Sequence, residues 1–121
     1  KFITFVQLLA PTTTTSRIKK ILKDSHEMVY YISMLSTTGG KLKVSSNQII
    51  KNYNKIKKIN KKKNCVIGFG ITDKTISSLK SADGLVVGSA ICKEITKSLH
   101  KRQNPVTNVS NMVKKLKTKI I

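Results

Sequence analysis

The sequence has no tryptophan, only five acidic residues, two cysteines and two prolines, and its longest apolar runs are short. Each shortage excludes something. Five carboxylates among 121 residues leave few candidates for general acid or base chemistry. Cys65 and Cys92 stand alone inside apolar segments, with neither metal-ligand spacing nor a disulfide-rich frame, so no metal site is expected and a reducing, cytoplasmic setting is. No stretch approaches the roughly 18 apolar residues of a membrane-spanning helix. Residues 1–10 begin basic and apolar but lack a cleavage-like end, and they read as a strand. A soluble chain without membrane attachment is the expectation. There is also no initiating Met, which points to a fragment or a processed product.

What is abundant is positive charge. The 24 Lys and Arg against five Asp and Glu give a net charge of +19, a density that suggests a polyanionic partner. Only Arg17 and Arg102 are arginine, whereas base and phosphate recognition favours the forked guanidinium. Ile and Asn are abundant too, so the excess of Lys, Ile and Asn also fits a drift towards A/T-rich codons. The lysines are spread over several helical segments with few interleaved aromatics, unlike a stacking platform for bases, and nucleic acid is not the expected partner. With 39% apolar content over 121 residues, one domain covering 1–121 is expected.

Apolar runs and helical patterns alternate along the chain. Residues 2–9 read as a strand, followed by Pro11 and several candidate N-caps between Thr12 and Ser16. Ile18, Ile21 and Leu22 mark one face of a helix, and residues 28–33 a second strand. Ile49, Tyr53 and Ile56 mark another helix that starts at Ser45 or Ser46 and runs into a lysine-rich, solvated connector over 55–63. Cys65, Val66 and Ile67 form a third strand, and Thr72 caps a short helix with Ile76 and Leu79. Residues 84–87 form a fourth strand. Ile91, Ile95 and Leu99 then mark a helix, and Val109, Met112, Val113, Leu116 and Ile120 a last one, with Pro105 between them. The order βαβαβαβα demands a parallel sheet with right-handed crossovers, covered on both faces. Half of an eight-stranded barrel and a small open doubly wound sheet both satisfy it, and both place a ligand at the C-terminal ends of the strands.

Three of the four strands run into glycine at that end: Gly39 and Gly40 beyond the second, Gly68 and Gly70 at the third, Gly88 with Ser89 at the fourth. Glycine lets backbone N–H groups approach a bound group closely, and a helix starting at Ser89 or Ala90 adds its positive end. Together they describe an anion cradle. Glycine also simply permits tight strand-to-helix turns, which accounts for any one of the three but poorly for all of them. The acids do not match this cradle with chemistry. Asp24, Glu27 and Asp83 fall at the opposite end of the strands, Glu94 sits in a helix, and Asp73, on the ligand side, suits a helix dipole better than a reaction. His26 and His100 sit at helix ends. No catalytic residue is therefore assigned. Tyr30 faces either a substrate or the core; Phe69, an aromatic between two glycines at a strand end, suits stacking on a flat apolar ligand.

Gly68-Phe69-Gly70-Ile71-Thr72, followed by Gly88-Ser89-Ala90-Ile91, resembles the seventh and eighth strands and loops of the tryptophan synthase alpha subunit family. Residues 5–13 and 30–39 fit that family's fifth and sixth strands, so the likeness covers nearly the whole chain. The resemblance implies a (βα)8 TIM barrel, of which this chain supplies about the last four βα units. It also implies a lyase that cleaves indole-3-glycerol phosphate to indole and glyceraldehyde 3-phosphate in tryptophan biosynthesis. By matching position, Gly39, Gly70, Gly88 and Ser89 would bind the phosphate, Phe69 would contact the indole ring, Tyr30 would line the pocket, and Thr38 would belong to the family's mobile sixth loop. The family's partner is a beta subunit in an alpha2beta2 tetramer, and pyridoxal phosphate belongs to that partner, with no cofactor in the alpha subunit. Ser36, Thr37 and Met34 depart from the family's usual Gly, Val and Arg in the sixth loop. The family's catalytic glutamate and aspartate have no counterpart among these residues, so activity is expected to require an N-terminal half. A half-barrel alone is expected to leave sheet edges and an apolar inner face exposed, and so to oligomerise or aggregate. Two alternatives remain: another phosphate-binding barrel, such as a sugar-phosphate isomerase or epimerase, and a basic nucleic-acid-binding domain.

Overall fold

A computed structural model describes residues 3–33 and 44–121. Four strands form one sheet: β1 (Gln7–Leu9), β2 (Met28–Ile32), β3 (Asn64–Gly68) and β4 (Gly84–Leu85). They lie in sequence order and every neighbouring pair is parallel. Helices α1 (Thr15–Asp24) and α2 (Ser46–Ile59) connect the first three strands, a short 3₁₀ helix (Ile76–Leu79) precedes β4, and α3 (Ser89–His100) and α4 (Pro105–Thr118) follow it.

Three of the four α-helices begin where a side chain satisfies their free N–H groups. Thr14 caps α1 by accepting from the Arg17 N–H, and Ser45 caps α2 by accepting from Gln48. Asn104 caps α4 by accepting from Val106 and Thr107, with Pro105 in the first turn, where its missing N–H costs nothing. Pro105 thus starts the last helix as well as separating it from α3. Thr72 differs from expectation. Its hydroxyl accepts from the Lys74 N–H, but the element that follows is a single 3₁₀ turn with no side-chain cap.

Alternation along the strands divides the sheet into two unlike faces. Leu9, Val29, Tyr31, Cys65 and Ile67 point to one side and are buried with Ile18 and Leu22 of α1, Ile49, Tyr53 and Ile56 of α2, Ile76 and Leu79, and Leu116 of α4. On the other side the register aligns Leu8, Tyr30, Val66 and Gly84 in one row. This row is only partly covered; Leu8 is 57% exposed. Among the described residues the cover on both faces usual for parallel strands is therefore missing, and the open side is the apolar inner face expected of a half-barrel. Both faces are apolar, so the strands read as doubly buried although helices pack on only one of them.

Strand lengths also differ from expectation. β1 begins at Gln7 because the register sets Gln7 opposite Val29, and residues upstream run past the start of β2 at Met28. Ile3 and Phe5 are exposed there. β4 stops at Leu85, although the Val86 N–H still donates to the Ile67 carbonyl before the chain turns into α3. The stripes on α3 and α4 are less buried than their spacing implied. Ile95, Leu99, Val113 and Ile120 remain exposed, and α3 packs mainly on α4.

Candidate functional site

At the C-terminal end of β3 the chain makes an uncommon turn. Phe69 has φ 67° and Gly70 φ 71°, two successive residues in the left-handed region. Glycine adopts it freely, but an L-residue with a Cβ gives up roughly 1–2 kcal/mol there. Gly68 is required for a different reason. A Cβ on it would lie 1.7 Å from the Tyr30 hydroxyl oxygen, so the Tyr30 side chain lies directly over the Gly68 backbone.

Tyr30 sits on the open face of the sheet, opposite Leu8 and Val66, while its neighbour Tyr31 is in the helix-covered core. Its ring meets that of Phe69 edge to face, with centroids 6.4 Å apart at 87°, a favourable arrangement for two aromatic quadrupoles. Phe69 nonetheless remains 57% exposed. An aromatic held in a left-handed backbone, with most of its surface in water, gains little from packing.

The end of β4 supplies the second part. Gly88 is the N-cap residue of α3, with no side-chain capping bond, and its carbonyl accepts from the Ile91 and Cys92 N–H groups. The Ser89 and Ala90 N–H groups have no protein acceptor among the described residues, and they form the positive end of α3. A Cβ on Gly88 would meet nothing within 4 Å, so the protein's own packing does not demand glycine there. The strand ends carrying Phe69-Gly70 and Gly88-Ser89 are neighbours in the sheet, because β3 pairs with β4 in parallel. Two further sequence-derived candidates, Gly39 and Thr38, lie outside the described residues, as do Met34, Ser36 and Thr37.

Three of the five carboxylates are committed elsewhere. Asp73, on the ligand side, pairs with Lys119 at 2.7 Å and so ties the end of α4 to the loop after β3; it serves no helix dipole. That hydrogen bond holds its carboxyl below the usual carboxylate range. Glu94 lies 3.6 Å from Lys97 on the same helix. Asp83 is at the opposite end of the strands, where it accepts from the Lys57 ammonium at 2.7 Å and the Cys65 N–H at 2.8 Å, while its own N–H donates to the Tyr53 hydroxyl. The lysine-rich connector is accordingly not all solvated. Lys57 holds Asp83 and the Lys63 carbonyl, and Lys63 donates to the Ser25 and His26 carbonyls. His26 and His100 are exposed. Among the described residues no His, Cys, Asp and Glu group has the geometry of a metal site.

One contributor was not anticipated. Ser33 is fully buried, and its hydroxyl lies 2.8 Å from the Gly68 carbonyl and 2.7 Å from the Phe69 carbonyl. A signal existed: Val29 and Tyr31 place position 33 on the covered face, where a polar side chain needs a buried partner.

The arrangement can hold an anion at backbone N–H groups and a flat apolar group at Phe69 and Tyr30, and among the described residues its carboxylates Asp73 and Glu94 are paired with lysines. The family model for the tryptophan synthase alpha chain matches residues 1–121. The chain is 70% identical over 120 residues to the tryptophan synthase alpha chain of Pelagibacter ubique, covering 99% of this chain and 45% of that one. It is 37% identical over 119 residues to the alpha chain of Aquifex aeolicus, covering 95% and 42%. Among solved structures it superimposes on the tryptophan synthase A-subunit of Pyrococcus furiosus with a TM-score of 0.71 at 29% identity, over 94% of this chain and 44% of that one. It also matches the tryptophan synthase a2b2 complex of Pyrococcus furiosus with a TM-score of 0.67 at 28% identity, over 98% and 45%. The chain thus spans less than half the length of the relatives it matches, and with its whole length inside the family model it belongs to the tryptophan synthase alpha chain family, as four βα units of a (βα)8-barrel fold.

Proposed function

We propose that the chain is the phosphate- and indole-holding part of a carbon–carbon lyase that cleaves indole-3-glycerol phosphate to indole and glyceraldehyde 3-phosphate. The observation that carries this reading is the left-handed Phe69-Gly70 turn beside the N-terminal end of α3. The Gly70, Ser89 and Ala90 N–H groups would take the phosphate oxygens, and the exposed face of Phe69 would lie on the indole ring, with Tyr30 behind it. An isomerase or epimerase acting on a bare sugar phosphate would have no use for that exposed aromatic. Binding here fixes the two ends of the substrate so that the bond between ring and side chain lies between them, which is an orienting role.

Proton transfer to the indole ring and from the glycerol hydroxyl needs an acid and a base, and Asp73, Asp83 and Glu94 are each paired elsewhere. The reading therefore assigns those groups to the N-terminal part of the family's barrel, with no cofactor in either part. A beta subunit carrying pyridoxal phosphate would take up the indole in the cytoplasm; the a2b2 assembly of the Pyrococcus relative supports that partner.

The test combines this chain with the N-terminal remainder of a family member and follows indole release from indole-3-glycerol phosphate. Release that disappears with Gly88→Asp, which sets a carboxylate where phosphate would bind, is the expected result. No release, and no protection of this chain from unfolding by glycerol phosphate, would overturn the reading.

A further inference from the structure

Ser33 follows the last ladder residue of β2, since Ile32 pairs with Gly68. Its N–H donates to the Gly68 carbonyl at 3.1 Å, and its hydroxyl proton is shared between the Gly68 and Phe69 carbonyl oxygens. These two carbonyls belong to the peptide units on either side of Phe69. A trans peptide carries its C=O and its N–H on opposite sides. Drawing both carbonyls inward onto a buried hydroxyl therefore turns the Phe69 and Gly70 N–H groups away from the core, towards the ligand end. Neither N–H has a protein acceptor among the described residues. The same two bonds fix the peptide planes that set the Phe69 backbone, which the left-handed region would otherwise not favour.

We infer that Ser33 is a positioning residue for the anion site: from behind the turn it aims the Phe69 and Gly70 N–H groups at the phosphate and sets the Phe69 ring against the indole. This rests on the binding reading above and adds Phe69 as a second N–H donor of the β3 turn. Ser33 touches no ligand itself.

The test is a titration of the ¹⁵N-labelled chain with inorganic phosphate and with sn-glycerol 3-phosphate, reading the amide signals of Phe69, Gly70, Ser89 and Ala90. Ser33→Ala is expected to weaken phosphate binding about tenfold, the equivalent of one hydrogen bond of alignment. It should also shift and broaden the Phe69 and Gly70 amides while the Ser89 and Ala90 amides keep their wild-type signals in the free protein. Ser33→Thr, which keeps the hydroxyl, is expected to restore most of the affinity. A merely structural role would lower the melting temperature and move all four amides alike, and that result would overturn the inference. Equal affinity in wild type and Ser33→Ala, with unchanged Phe69 and Gly70 signals, would overturn it while leaving the site itself standing. A wild-type chain in which phosphate moves none of the four amides would remove the site, and the role of Ser33 with it.

Discussion

A methyl group at position 68 has nowhere to go while Tyr30 keeps its place, because the Tyr30 hydroxyl oxygen and ring carbons lie 1.7–2.8 Å from it. The obstacle is the rigid end of one side chain, so the damage should be specific. Gly68→Ala is expected to displace the Tyr30 ring, break its contact with Phe69 and lower stability by about 1–3 kcal/mol in urea unfolding. Removing only the hydroxyl with Tyr30→Phe leaves the ring in the way, whereas Tyr30→Ala in the same chain should cancel most of the loss, a non-additivity read from a double-mutant cycle. The two cysteines make a second contrast. Burial, assisted by the charge of Asp83, pushes the Cys65 thiol up to about 12, while Cys92 is exposed. Because the thiolate is the reacting form, a disulfide reagent at pH 8 should titrate Cys92 alone in the native chain and both thiols after denaturation.

Between elements, Asp83 joins α2 to β3 ahead of β4. Burial alone would push its carboxyl up, but the Lys57 ammonium and the Cys65 N–H outweigh it and hold the carboxyl below the usual range. A depressed folded value means that the contribution to stability is present above the unfolded value near ~4 and is lost as pH falls through the folded one. Asp83→Asn should therefore be less stable at neutral pH and show a flatter decline on acidification below about pH 4, measured by unfolding midpoints across pH. At the start of α4, Asn104→Ala removes the acceptor for two N–H groups and is expected to remove about 1 kcal/mol. Helix starts were legible in the residues themselves, since the side chains of Thr14, Ser45 and Asn104 bond only to groups two or three positions on. The turn glycines were legible too, because their spacing after each strand is local. Asp83 with Lys57, and Ser33 with Gly68 and Phe69, were not: each joins residues 26 to 36 positions apart, and only the sheet register brings them together. The exposure of Ile95 and Leu99 was equally hidden, since an apolar stripe reports that a helix has a sticky side but not whether anything lies against it.

On the scale of the molecule, an apolar sheet face and, among the described residues, two open strand edges belong to a chain of net charge +19. Apolar surface and unpaired backbone favour association, and like charge opposes it. Salt screens the second and not the first, so sedimentation of the isolated chain should show larger species at about 0.5 M salt than at low ionic strength. The N-terminal remainder of a family member should suppress them. The strand order has a separate consequence, for timing. Each strand bonds to the one before it in the chain, so no ladder waits for a distant segment to be synthesised. Each ladder nonetheless closes through one whole crossover, 22 residues from Gln7 to Val29 and 36 from Val29 to Cys65, and parallel pairing across such separations forms slowly. During translation β2 can dock on β1 with α1 alone between them, and each later strand extends a template already in place, the ribosome's direction of travel and the sheet's direction of growth being the same.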